Sequence, residues 1–377
     1  MRMLAAVMYN QGLPAPYEQS QPFRIEEVEL EGPADDEVLV EIRAAGLCHS
    51  DLSQVAGLRK RKLPVVGGHE GAGIVREVGR SVKTLKEGDH VVMVGVSDCG
   101  HCQMCIEGRP VLCNSVAWSR SEGLLPNGNR KLSRQGVPLN HYSGVSSFAQ
   151  YAVTMPQTLI KVDASVPLDI VAMFGCAVVT GAGSVFNAAR VRPGQNVVVF
   201  GLGGVGLNAV MAAKLSGAGR IVGVDIHEGK FALARDLGCT DCVLATDPDI
   251  VQQIQALTHG GVDFAFEVSG SKPAMETAIA VTRKGGEVIG VGLGASGDLY
   301  AYDHARLVSE EKVIRGSFLG SGVPARDLPV YVDYFREGRL PVDRLKSGTM
   351  GFEQLNRNLD MLAKGDVVRQ ILLPHGA

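Results

Sequence analysis

Four cysteines, Cys99, Cys102, Cys105 and Cys113, fall within fifteen residues in the spacing C-x2-C-x2-C-x7-C. Thiolates are soft ligands, and four of them close tetrahedrally around zinc with no position left open. Such a site braces a loop and does no chemistry itself. Three further segments each carry one zinc-type ligand in a glycine-flanked turn: Cys48 in GLCHSD, His69 in GGHEGAG and Cys176 in FGCAVVTG. Two cysteines and one histidine with an open fourth position make a catalytic zinc set. Spacing alone does not join them, because 107 residues separate His69 from Cys176. A second C-x-x-C, Cys239 and Cys242, reads as packing at a helix-to-strand junction, where a free cysteine behaves as a small hydrophobe.

A different chemistry is written at Gly201, Leu202, Gly203, Gly204, Val205 and Gly206, which fit G-x-G-x-x-G. The apolar run NVVVF precedes the motif, a helical pattern follows it, and Asp225 ends the next strand-like run 19 residues after Gly206. That context makes it a dinucleotide fingerprint. Gly201 permits the tight turn, Gly203 lets the backbone approach a pyrophosphate, and Gly206 lets helix and strand pack closely. The helix N-terminus offers free N–H groups to the phosphates. The carboxylate of Asp225 suits ribose hydroxyls and repels a 2′-phosphate, so the expected cofactor is NAD.

The elements that must position these residues follow from the hydropathy pattern. Residues 1–90 alternate apolar and polar in short runs (RIEEVELE, EVLVEIRAAG, GAGIVREVG, GDHVVMVG), the period of half-buried strands. Residues 91–150 read as loop-rich. From 196 onward, apolar runs alternate with helical patterns (KPAMETAIAVTRKGG among them), which predicts a parallel sheet covered on both faces. After about residue 320 one helix, FEQLNRNLDMLAKG, and a closing strand, VVRQILL, are expected. The net charge of −3 argues against a nucleic-acid binder, whose affinity comes from Lys and Arg neutralising phosphates. The uncharged stretches 170–189 and 195–213 are long enough to span a bilayer, but glycines break both, so no membrane partner is expected. MRMLAAVMYN is too short a run for a signal peptide, and the expected location is the cytoplasm.

In order along nearly the whole chain, GLCHSD, GHEGAGIVREVG, the four-cysteine cluster, SSFAQY, the GC…TG segment, GLGGVG, VGVD, GVDFAFEVSG and VVRQIL resemble the zinc-dependent alcohol dehydrogenases of the medium-chain dehydrogenase/reductase superfamily. The resemblance implies an α/β chain with a GroES-like, β-rich catalytic domain (residues 1–177 and 321–377) and a Rossmann domain with a doubly wound parallel sheet (178–320). It implies two zinc ions per chain, a catalytic one on Cys48, His69 and Cys176 and a structural one on the four clustered cysteines. Asp51 then orients the ligand histidine, Glu70 is an acid near the metal, and Ser50 takes the substrate proton. His49, Lys230 and Arg369 would join Asp225 in binding the cofactor, with Thr180 and the backbone of Val291, Gly292 and Leu293 against the nicotinamide. The implied reaction is reversible oxidation of an alcohol to an aldehyde or ketone, with zinc activating the alcohol and hydride passing to NAD. A thiol-adduct formaldehyde dehydrogenase is the alternative, and a non-catalytic nucleotide-binding relative the less favoured one. The expected partners are a small alcohol or aldehyde and a second copy of the chain, a dimer before a tetramer, paired through the strand near VIRGSFLG.

The chain departs from the family at two places. Ser53 stands where the best-known members carry a histidine that passes the proton to solvent. GLRKRKLP (57–64) holds four consecutive basic residues where glutathione-dependent relatives carry acidic ones. That run reads as a solvated surface before it reads as an attractor of anionic substrates. Trp118, Tyr142 and Phe318 align with pocket-lining positions, and Gly95 falls where a bulky aromatic is common, which predicts an enlarged pocket.

Overall fold

Val197–Phe200 is apolar at every position and buried on both faces, as a strand at the centre of a parallel sheet must be. The structure, a computed structural model, describes residues 1–376. Contacts divide the chain into two units. One comprises Met1–Cys176, Val323–Asp333 and Val342–Ala377, and the other Ala177–Gly322 and Tyr334–Pro341.

The second unit is built around Val197–Phe200. It forms a six-stranded sheet in the order Asp241–Leu244, Ile221–Asp225, Val197–Phe200, Val262–Glu267, Thr282–Gly290, Val313–Gly316, parallel throughout. By sequence that order is 3-2-1-4-5-6, the doubly wound nucleotide-binding arrangement. The strand order reverses between Val197–Phe200 and Val262–Glu267, and ligands bind at the carboxyl ends flanking such a switch point. The stretch 195–213 divides into the strand Val197–Phe200 and the helix Gly204–Leu215. The stretch 170–189 is a bent helix pair, Leu168–Gly175 and Ala177–Ala189, and no single described helix is long and apolar enough to cross a membrane.

The first unit carries a closed barrel of Arg2–Met8, Phe23–Leu30, Leu132–Arg134, Val137–His141 and Val65–Val66. A second, mostly antiparallel sheet runs Leu159–Val162, His90–Val94, Glu70–Val78, Val38–Leu47, Arg369–Leu372, Lys346–Met350, with Tyr151–Thr154 also on Val38–Leu47. One buried cluster including Phe23, Ile42, Leu47, Met93 and Phe148 fills this unit.

Residues 91–150 are loop-rich as expected, and within them stand the helix Asn114–Glu122 and a hairpin, Leu132–Arg134 with Val137–His141. The hairpin signal was the Gln135-Gly136 pair, both at positive φ (51° and 79°), as a two-residue turn requires. The helix expected through TRKGG stops at Val281, and Thr282 already begins the strand Thr282–Gly290.

Candidate functional site

Strand register brings the ligand set together. Val38–Leu47 pairs with Glu70–Val78 so that Ala45 faces Gly71, and with Arg369–Leu372 so that Leu47 faces Gln370. Cys48 leaves the end of the first strand, and His69 immediately precedes the second. Cys176 arrives by a close approach: a Cβ at Gly175 would lie 2.2 Å from the Met93 carbonyl oxygen, so only glycine lets the chain pass there. The ligand atoms of Cys48, His69 and Cys176 all lie within 4.8 Å of one another.

Asp51 holds two of the three in place. One carboxylate oxygen accepts the Cys48 backbone N–H at 3.0 Å, and the other sits 3.0 Å from His69 Nδ1. Asp51 is 1% exposed, so these partners replace water. With Nδ1 committed, Nε2 of His69 faces the two sulfurs, and it is buried with no hydrogen-bond partner. A buried ring nitrogen with no hydrogen-bond partner, beside two cysteine sulfurs, is what a metal ligand looks like before its metal is counted. Burial alone would push the imidazole pKa down, but the Asp51 carboxylate reverses this and raises it well above its usual value. The hydrogen bond from the Cys176 thiol holds Cys48 well below the ordinary thiol range, so Cys48 carries the thiolate of the pair. A set of two sulfurs and one imidazole nitrogen fits a zinc ion with one position open.

Glu70 and Arg369 form a buried ion pair packed against Gly46. Sequence reasoning placed these two separately, near metal and near cofactor, and missed what makes room for the pair. A Cβ at Gly46 would lie 2.6 Å from Glu70 Oε1 and 2.7 Å from an Arg369 nitrogen. Tyr142 is buried with its ring against His69, centroids 5.4 Å apart, and burial pushes its hydroxyl up to about 12. Gly95 has a tighter reason than pocket size, because a Cβ there would sit 2.9 Å from the His69 carbonyl oxygen. Ser50 and Ser53 are half-buried on the helix His49–Val55, and His49 is exposed at its start. Trp118 stands 45% exposed on the helix Asn114–Glu122, a poor wall for an enclosed pocket.

The four clustered cysteines are all free thiols. Their sulfurs lie 3.6 Å (Cys102–Cys105), 3.7 Å (Cys102–Cys113) and 4.0 Å (Cys99–Cys105) apart. A tetrahedron with ~2.3 Å Zn–S bonds has edges of ~3.8 Å, whereas a disulfide would draw two sulfurs to ~2.0 Å. The cluster therefore fits a closed zinc site.

In the second unit the glycine loop has the shape that a dinucleotide needs. Gly201 takes φ +98°, and a Cβ at Gly206 would sit 1.8 Å from the Gly201 carbonyl oxygen. A Cβ at Gly203 would meet nothing within 4 Å, which leaves that face of the loop open to a pyrophosphate. Asp225 ends its strand 6% exposed. Its carboxylate accepts the Leu202 N–H at 2.7 Å and the His227 N–H at 3.0 Å, and pairs with Lys230 at 3.1 Å. On the far side of the switch point, Glu267 accepts the N–H groups of Ser269 and Gly270 at 2.8 and 2.9 Å. Gly292 packs so close that its Cβ would lie 2.1 Å from the Gly270 nitrogen. Val291 is buried and Leu293 exposed beside it, while Thr180 and Phe318, in the same unit, are half-buried. Cys239 is buried and Cys242 half-buried, with the Cys242 thiol donating to the Phe231 carbonyl at 3.9 Å.

Comparison with known proteins agrees with this geometry. The family profile for the alcohol dehydrogenase GroES-like domain matches residues 34–164, and that for zinc-binding dehydrogenases matches residues 204–336. An S-(hydroxymethyl)glutathione dehydrogenase from Paracoccus denitrificans is 35% identical over 383 residues, covering 99% of this chain and 100% of that one. Among solved structures, an alcohol dehydrogenase zinc-binding domain protein from Burkholderia ambifaria superposes with TM-score 0.93 at 37% identity, covering 100% of both chains. The benzyl alcohol dehydrogenase of Acinetobacter calcoaceticus gives TM-score 0.92 at 33% identity, covering 99% of both chains.

Proposed function

Since this chain belongs to the zinc-dependent alcohol dehydrogenase family, we propose that Cys48, His69 and Cys176 hold the zinc at which it oxidises an alcohol with NAD. The buried, unpartnered Nε2 of His69, facing two cysteine sulfurs, carries this reading. When bound there, zinc supplies a Lewis acid that makes an alcohol easier to deprotonate, and NAD supplies the hydride acceptor. The chain's own residues do the rest. Asp51 fixes the tautomer of His69 so that Nε2 is the ligating atom. Glu70, which follows His69 directly, is neutralised by Arg369, so no lone buried charge is left beside the ligand set. Ser50, two residues after Cys48, accepts the hydroxyl proton as it releases its own, so that it relays the proton and does not keep it. Ser53 lies one turn on, three residues along the same helix, and a neutral hydroxyl there passes a proton to water but does not store it.

Cys99, Cys102, Cys105 and Cys113 hold the second zinc. The loop 201–206 and Asp225 bind NAD, and the Asp225 charge, next to the ribose, disfavours a 2′-phosphate. The open edge strand Val313–Gly316, exposed along its length, is where a second copy continues the sheet to form a homodimer. The substrate is a free alcohol rather than a thiol adduct, because the loop 57–64 is basic where thiol-adduct enzymes are acidic.

The test is initial-rate NAD reduction over aliphatic, aryl and hydroxy-acid alcohols, with and without chelator, beside formaldehyde with and without glutathione. Chelator-sensitive turnover of free alcohols is expected. Formaldehyde oxidation only with added thiol, and none with free alcohols, would overturn the substrate reading. No turnover on any substrate by protein containing two zinc ions per chain would overturn the catalytic one.

A further inference from the structure

Two buried carboxylates stand at strand ends on either side of the switch point, and only one of them is paired with a cation. Asp225 ends Ile221–Asp225 and pairs with Lys230 at 3.1 Å. Glu267 ends Val262–Glu267 and is 3% exposed. Its Oε1 accepts the N–H groups of Ser269, Gly270 and Ser271 at 2.8, 2.9 and 3.4 Å, together with the Ser269 hydroxyl. Four donors on one oxygen is the pattern of a carboxylate. All four are neutral, and no lysine, arginine or histidine pairs with Glu267 among the described residues. Oε2 accepts no hydrogen bond among the described residues and is not sealed from solvent. The charge is felt nearby: burial, and then the Glu267 carboxylate, push the Tyr300 hydroxyl above its ordinary range. Tyr300 donates to the Gly270 carbonyl at 3.0 Å and leaves the carboxylate without its proton.

Glu267 also joins the loops that border the crevice. A Cβ at Gly201 would lie 3.2 Å from the Ser269 Cβ and 3.3 Å from a Val268 methyl, so the braced segment rests on the glycine loop. The Glu267 carbonyl takes the N–H groups of Val291 and Gly292 at 2.8 and 2.9 Å. A brace needs only an acceptor oxygen, which an amide supplies without the cost of a buried charge. In a doubly wound sheet each half binds one mononucleotide. Asp225 stands in the half suited to the adenosine ribose, and Glu267 ends the first strand of the other half, which takes the nicotinamide.

We propose that Glu267 biases this chain toward the oxidised form of its cofactor, the carboxylate complementing the positive charge that only the oxidised nicotinamide ring carries. The reduced ring is neutral and gains nothing from that charge. This inference rests on NAD binding at the loop 201–206 and Asp225.

The experiment measures Kd by calorimetry on the holoenzyme for NAD+, NADH and ADP-ribose, which has no nicotinamide, in wild type and Glu267→Gln. The glutamine oxygen can keep the N–H contacts while the charge is removed. Kd for NAD+ is expected to rise on the order of tenfold, as for unit charges ~10 Å apart at an effective dielectric of ~20. Kd for NADH and for ADP-ribose should stay within about twofold. A brace alone would weaken all three ligands together, and that result, or three unchanged values, would overturn the proposal. Glu267→Asp keeps the charge but shortens the reach, so it should weaken the ligands while holding the NAD+-to-NADH ratio near that of the wild type. A ratio that moves as far as in Glu267→Gln would count against the charge. If Glu267→Gln does not fold, Tyr300→Lys puts a cation at the half-buried position that already feels Glu267. It should move the ratio in the same direction, and an unchanged ratio would overturn the proposal. Wild type that binds none of the three ligands would instead overturn the cofactor reading, and this inference with it.

Discussion

Replacing Asp51 with asparagine tests the site at the residue that organises it. Asp51 accepts from two sides at once, the Cys48 N–H at 3.0 Å and the His69 Nδ1–H at 3.0 Å. Asparagine has one acceptor oxygen and one NH2 donor in the same space. If the oxygen faces His69, the NH2 meets the Cys48 N–H, and two buried donors oppose each other. If the NH2 faces His69, it needs an acceptor at Nδ1, so the ring proton moves to Nε2 and the nitrogen facing the two sulfurs can no longer ligate. The first arrangement leaves a buried donor unsatisfied, costing about 1–3 kcal/mol. Expressed as zinc affinity, that is roughly fivefold to 150-fold, in line with the ~10–100-fold typical of lost partners of a ligating histidine. The assay is competition with a colorimetric chelator, read as two separate zinc populations per chain, with kcat measured on the same samples. The four-cysteine zinc should be unaffected, and the weakened one should be the zinc whose loss abolishes turnover. Wild-type affinity for both ions and an unchanged kcat in Asp51→Asn would refute the argument that this carboxylate sets the histidine tautomer.

Other perturbations separate the remaining parts. Gly206→Ala puts a methyl 1.8 Å from the Gly201 carbonyl oxygen, so NAD affinity should fall on the order of 100-fold, with zinc content kept; cofactor fluorescence titration checks this, and normal binding would contradict it. Cys113→Ser should remove one of about two zinc ions per chain and leave the 91–150 segment sensitive to protease, because a four-thiolate site loses its closed shell; metal analysis showing two ions would count against the cluster. His141 is buried, and burial, ahead of the nearby charges, lowers its pKa to about 4. Between that value and the unfolded ~6.5, the unfolded chain binds a proton that the folded chain does not. Stability should therefore fall as the pH drops from about 6.5 to about 4, by at most roughly 3 kcal/mol from this group. His141→Gln should flatten that part of the stability–pH curve in denaturant titrations, and parallel curves would exclude the effect.

What the sequence determined by itself was local. Positive φ at a turn and tight helix–strand packing are demanded of the residue in place, so GLGGVG, with a buried strand before it and Asp225 after it, was legible as a cofactor loop. Four cysteines within fifteen residues need no fold to bring them together, and their metal could be read from composition and spacing. The turn at Gln135-Gly136 was equally local, but the strands it joins were not read because runs of three and five residues carry little hydrophobic period. What only the tertiary structure decided was which distant groups share a site. Cys48, His69 and Cys176 meet because Ala45 pairs with Gly71 and because Gly175 can touch the Met93 carbonyl. Arg369 reaches Glu70 because Leu47 pairs with Gln370 and because Gly46 has no side chain to block the space between them. Strand register and backbone approach are properties of pairs of segments, and no single segment encodes its partner's offset.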